Sequence, residues 1–533
     1  MLFDSSHSSP RFTQLHGSSD ALALAQYAEK NTPLVVIAAN ALEAQRLVEE
    51  IPFFAPALRV HLLPDWETLP YDHFSPHQDL VSERLATLHH IRSHSFDVVV
   101  VPITTALYPL PPVEYLAAFT FFLKRGQKLD INNLREQMTF AGYNHVQQVL
   151  TPGEYCVRGG LIDLFPMGCV LPYRIDLFDD EIETINTFDV DTQRTLYPVP
   201  EIRLLPAREF PLDEKGQAHF RQSFRERFEG DPSKSSIYKD VSKGIAPAGI
   251  EYYLPLFFER TAVLFDYLPS NTTLCLHHNV DEAIATFAKD AASRYNLLRG
   301  DPQRPLLETR ELFWDAEKFF IRAKDFARVD ILTSPVGGAT ESGGEHSEKA
   351  SPSLALEEQL AIRLGGQTTP AKSLVIPRGE RGSKTLTACA TQPLPDIAVN
   401  RRAEVPTQAF KNFLQAYTGR TLLLADSLGR REIMSGYLNE YDLKPTLCDD
   451  YASFLKSDDK FMLGVAMLQN GFILSDEILP LSPKANCTLH KPVAAWHAPR
   501  RKAMSKVCCA TCPSLSRVIR WCMNNTALRV IRG

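Results

Sequence analysis

The chain has 533 residues, 44% of them apolar and 23% charged, with a net charge of −6. It is too long for one core, so three or four domains of ordinary soluble composition are expected. No run of about 18 apolar residues exists to cross a membrane as a helix, the start MLFDSSHSSPRF lacks the basic and apolar parts of a secretory signal, and the first 477 residues carry −16, which argues against a broad, unspecific nucleic-acid surface.

In chain order, Gln14-Leu15-His16-Gly17-Ser18-Ser19-Asp20-Ala21 reads as a helix cap, with Ser18, Ser19 or Asp20 at the cap position. A helix is expected over Ala21–Lys30, a strand over Pro33–Ala38, a helix over Leu42–Ile51 and a strand over Asp97–Pro102. Both strands are continuously apolar, which predicts a parallel sheet covered on both faces. Between them lies Leu63-Pro64-Asp65-Trp66-Glu67-Thr68-Leu69-Pro70-Tyr71-Asp72, running on to Ser82-Glu83-Arg84-Leu85. Trp66 is expected to be a packed anchor. His73, His77, His89 and His90 lack the Cys or carboxylate spacing of a metal site, and no metal is expected.

Residues 120–205 change character to short basic strands, glycines and acidic turns, which predicts a small α+β insertion. Gly153–Gly168 (GEYCVRGGLIDLFPMG) gives a turn, a strand entry at Arg158, a glycine pair and an apolar strand ended by Pro166. A second basic strand, Leu171–Phe178, ends in the acidic turn Asp179-Asp180-Glu181. Side chains alternate along a strand, so Arg174, Asp176 and Phe178 share one face. Arg158, Arg174 and Phe178 are the candidate recognition residues. The competing reading pairs the arginines with Asp176, Asp179 or Asp180 and puts Phe178 in the core.

Helices are expected over Gln217–Phe228 and Asp281–Tyr295, and a strand over Thr273–Leu276. Residues 336–353 (VGGATESGGEHSEKASPS) have almost nothing to bury and read as a linker extending toward Gln392. Pattern resumes with a strand over Thr421–Asp426 and a helix over Gly429–Leu438. From Ile478 on, ten Lys and Arg, no acid, and five of the ten cysteines appear without a sustained period. Cys508, Cys509, Cys512 and Cys522 fit no standard zinc spacing. The five earlier cysteines are scattered, as reduced thiols are in a cytosolic protein.

The stretches GEYCVRGGLIDLFPMG, DWETLPYDHFSPHQD, FDVDTQRTL (188–196) and KGIAPAGIEYYLPLFF (243–258) resemble the UvrB-like module of transcription-repair coupling factors. LPDIAVN (394–400) and LLLADSLGRREIMSGYL (422–438) resemble that family's small third domain. The resemblance implies an α/β multidomain chain. A degenerate helicase-like parallel-sheet domain takes its first part from 1–120 and is completed by 206–333. A UvrA-binding-like domain is inserted at 121–205. A flexible linker over 334–392, the third domain over 393–477 and an aberrant, disordered tail over 478–533 follow. One coding of Leu479–Thr488, read two bases later, restores the family's text, so the tail is expected to be out of frame.

The motor signature GxxxxGK[ST] needs backbone N–H groups and a lysine around phosphate. At the equivalent place Gln14–Ala21 has no lysine and carries Asp20. The resemblance therefore implies a binding module, not an enzyme, cut off before the family's ATP-dependent translocase. Its expected partner is UvrA, held by Arg158, Arg174 and Phe178. No cofactor is expected, ATP and magnesium belonging to the missing motor. Contacts with RNA polymerase and DNA are expected to be lost, and the location is cytoplasmic. The alternatives are a UvrB-type DNA helicase and a nonfunctional pseudogene product.

Overall fold

The computed structural model describes residues 11–332, 391–397, 399 and 403–474, and places the strands Leu374–Ile376, Lys384–Ala388 and Val493–Trp496. The described residues divide into two compact units, residues 21–329 and residues 11–20 with the described residues from 330 on. No helix among them is long and apolar enough to cross a membrane.

In the larger unit, four parallel strands lie in the order Val60–Leu62, Val98–Pro102, Leu34–Ala38, Thr273–His277. Leu34–Ala38 and Val98–Val101 are fully enclosed, as their unbroken apolar runs require. Helix Ala41–Phe54 starts where the Asn40 side chain accepts the Glu43 N–H at 2.9 Å. Helix Glu214–Arg227 starts three residues before the expected Gln217, because the Asp213 side chain accepts the Gly216 N–H. Helix Val280–Leu298 runs beyond both ends of the expected segment.

Trp66 is enclosed between Tyr108 and Tyr252, with ring centroids 4.6 and 5.5 Å away, and the Arg84 guanidinium lies 5.3 Å from its ring centre. Arg84 in turn donates to Glu209 at 2.6 Å, both side chains being buried. The Tyr71 hydroxyl donates to the Leu307 carbonyl at 3.0 Å. The DWETLPYD signature is therefore a packing device that joins segments far apart in the chain.

The insertion is a six-stranded sheet in strict chain order: Asn144–His145, Glu154–Arg158, Leu161–Phe165, Tyr173–Phe178, Glu181–Phe188, Thr195–Pro198. All neighbours are antiparallel except the first pair. Strands Phe121–Lys124 and Glu201–Leu204 pair antiparallel. Entry and exit therefore lie side by side, as an inserted domain needs. Ile162, Ile175 and Ile185 face the core with Leu134 and Met138 of helix Ile131–Phe140.

In the smaller unit, one sheet has the order Thr391–Pro393, Phe472–Leu474, Val493–Trp496, Arg420–Ala425, Phe461–Val465, Thr446–Leu447. Its core includes Leu423, Leu438, Leu463 and Phe410. The expected helix over Gly429–Leu438 forms as Leu428–Glu440, capped by Ser427.

Two short strands lie within the span expected as a linker, 334–392. Leu374–Ile376 runs antiparallel to Lys384–Ala388, which pairs parallel with Arg11–Thr13. Thr391–Pro393 opens the third-domain sheet. Apolar and β-branched runs such as Leu374-Val375-Ile376 suit a pleated ladder even where their neighbours in sequence do not. Residues 11–20 also group with the C-terminal part rather than with residues 21–120. Four residues of the tail are described, and they form a strand, Val493–Trp496, paired with Arg420–Leu423. Cys508, Cys509, Cys512 and Cys522 lie outside the described residues.

Candidate protein-binding site

The candidate site lies on the outer face of the inserted sheet. Register sets it: Arg158 pairs with Leu161 and Leu161 with Asp176, while Asp163 pairs directly with Arg174. Residues opposite one another, and residues two apart, point to the same face. Arg158, Asp163, Arg174, Asp176 and Phe178 therefore share it. Gly159 makes the turn between strands Glu154–Arg158 and Leu161–Phe165 at φ +63, a conformation that glycine adopts without strain.

Asp163, only 2% exposed, organises this face. Its Oδ1 accepts Arg174 Nε at 2.7 Å, and its Oδ2 accepts Arg174 Nη2 at 3.0 Å and also Arg158 Nη2. Arg174 further donates to the Gln193 carbonyl at 3.1 Å and sits 4.7 Å from the Phe188 ring centre. Hydrogen bonding to Asp163 raises the Arg174 pKa further. The Arg174 fork is therefore engaged inside the domain. The Arg158 side chain is 51% exposed and Phe178 75% exposed.

The two readings made from sequence divide here. Phe178 is on the surface and not in the core. Both arginines do pair with an acid, but with Asp163 and not with Asp176, Asp179 or Asp180; Asp180 takes Lys128 at 2.9 Å instead. Asp163 is the residue that sequence reasoning missed. Its signal was a lone carboxylate in the apolar strand LIDLF, which a folded chain buries only against a cation. Beside these residues the face is closed by a small apolar cluster of Val149, Cys156, Phe165 and Phe188.

His73, His77 and His90 make local polar contacts. The His77 ring accepts the Asp79 N–H at the start of helix Gln78–Arg92. The His73 ring lies 3.3 Å from an Arg304 nitrogen. His61 stacks on His90 at 4.3 Å, and His90 Nδ1 lies 2.8 Å from Ser95 Oγ. Burial pushes the pKa of His89 and His90 down to about 4, with the Arg203 charge acting the same way on both. An unfolded histidine titrates near ~6.5. Below that pH the unfolded chain takes up protons that the folded one refuses, so stability present above ~6.5 falls away toward pH 4. Urea midpoints should drop from pH 7 to pH 5, and His90→Gln should flatten part of that drop. An unchanged slope in the variant would remove His90 from this account.

Residues 121–210 match the UvrB interaction domain model, and residues 413–481 match the MFD, D3 domain model. The transcription-repair-coupling factor of Haemophilus influenzae is 36% identical over 471 residues, covering 87% of this chain and 36% of the relative. That of Escherichia coli is 38% identical over 434 residues, covering 81% and 34%, and that of Bacillus subtilis is 28% identical over 262 residues, covering 46% and 22%. The chain thus spans about a third of the length of the first two relatives.

Fold and match together define a mixed α/β protein with a parallel sheet and an inserted UvrB interaction domain. Over most of its length the chain resembles the N-terminal portion of the transcription-repair coupling factor, Mfd.

Proposed function

We propose that this chain is a recruiting module of transcription-coupled nucleotide excision repair that binds the damage sensor UvrA and has no motor chemistry of its own. One observation carries the reading: the residues matching the UvrB interaction domain are those that build the outer sheet face with Arg158 and Phe178. Phe178 offers exposed aromatic area and Arg158 an exposed planar cation, the residue types that dominate protein interfaces. Arg174 acts through Asp163, holding the carboxylate against which Arg158 is set. Depletion of UvrA from solution by the immobilised intact chain tests this; no depletion at micromolar concentrations refutes it. The proposed location is the cytoplasm, where such repair operates.

The same reading holds that the chain needs no cofactor and hydrolyses no ATP. Gln14–Asp20 stands where a phosphate loop would be and supplies no lysine. Phosphate release should stay at background with or without DNA. DNA-stimulated turnover abolished by a single change within residues 14–20 would establish the helicase alternative instead.

A further inference from the structure

We infer that the loop Gln14–Asp20 is an internal docking site for the third-domain sheet of this same chain, with the backbone groups that would receive a phosphate committed to residues 391 and 470. Four hydrogen bonds close it in two reciprocal pairs. His16 N–H donates to Thr391 Oγ1 at 3.0 Å, and Thr391 Oγ1 donates to the Gln14 carbonyl at 2.6 Å. Ser18 N–H donates to the Asn470 carbonyl at 3.0 Å, and Asn470 N–H donates to Ser18 Oγ at 3.3 Å. Ser19 Oγ adds a contact to Thr391 Oγ1 at 3.4 Å.

Gly17 allows this approach. Its φ is +57, and a Cβ there would lie 2.3 Å from the Gly471 carbonyl oxygen and 2.9 Å from that of Asn470. Both obstacles are backbone, so no side chain can turn aside to make room. Ser18, Ser19 and Asp20 are 2% exposed or less. A phosphate bound here would need the His16 and Ser18 N–H groups, which already point at a hydroxyl and a carbonyl oxygen. Docking of the sheet and binding of a nucleotide are therefore mutually exclusive. The feature is an intramolecular clasp, independent of the UvrA reading.

Site-resolved amide exchange on the intact chain tests it. The His16, Ser18 and Asn470 amides should be protected in the wild type. Thr391→Val should speed His16 about 10-fold, the factor equivalent to a hydrogen bond worth about 1.4 kcal/mol, while leaving Ser18 slow. Gly17→Val should release Ser18 and Asn470 together. Gly429→Ala, where a Cβ meets nothing within 4 Å, should change none of them. Mg-ATP should leave the wild-type rates unaltered. Rapid exchange of His16 and Ser18 in the wild type, or their slowing by Mg-ATP, would overturn the clasp. If Gly17→Val does not fold, Thr391→Val carries the test alone.

Discussion

Titrated with UvrA, Phe178→Ala and Arg158→Ala are each expected to bind about 30-fold more weakly than the wild type, a loss of about 2 kcal/mol. Phe178 is 75% exposed, so its ring area is uncovered in the free chain. The Arg158 side chain is 51% exposed with one nitrogen on Asp163, which fixes its fork without covering it. Neither side chain belongs to the isoleucine core on the opposite face. The circular dichroism and urea midpoint of both variants should therefore match the wild type. Equal UvrA affinity for wild type and both variants would reject this face as the contact.

Asp163→Ala is expected to lower the stability of the inserted domain by about 3 kcal/mol, the low end of the cost of breaking a buried pair. Arg158 can turn to water once the carboxylate is gone. Arg174 cannot do so as easily: its side chain is 17% exposed and lies against Phe188. Removing the acceptor leaves that cation under-satisfied, and this dominates the loss. Asp163→Asn keeps the shape and one acceptor, so about half the effect is expected. Arg174→Ala should destabilise by a similar route, leaving Asp163 with the exposed Arg158 alone. Urea unfolding followed in the near ultraviolet measures all three. A midpoint for Asp163→Ala equal to that of the wild type would mean that the triad is ornamental and that Arg174 is free to serve a partner directly.

The parts of the fold visible in the sequence are those governed by local rules. Leu34–Ala38 and Val98–Pro102 could be read because a strand enclosed on both faces must be apolar throughout. Helix ends drifted where the cap lay outside the apolar pattern, as at Asp213. The strands Leu374–Ile376 and Lys384–Ala388 were hidden because a short ladder depends on a partner strand far away in the chain, here Arg11–Thr13.

The candidate site divides along the same line. Strand alternation alone put Arg174, Asp176 and Phe178 on one face, and the motif spacing put Arg158 near them. The sequence by itself thus determined the residue types, their shared face and the lack of a phosphate lysine. Only the tertiary structure decided which cation meets which acid. Cross-strand register set Asp163 opposite Arg174 and within reach of Arg158, turning one arginine inward and leaving the other half exposed. It also decided what fills the loop Gln14–Asp20. The N–H groups of a loop are identical in every sequence, and their partners at residues 391 and 470 are set by chain return across more than 350 residues, a distance over which no local pattern carries information.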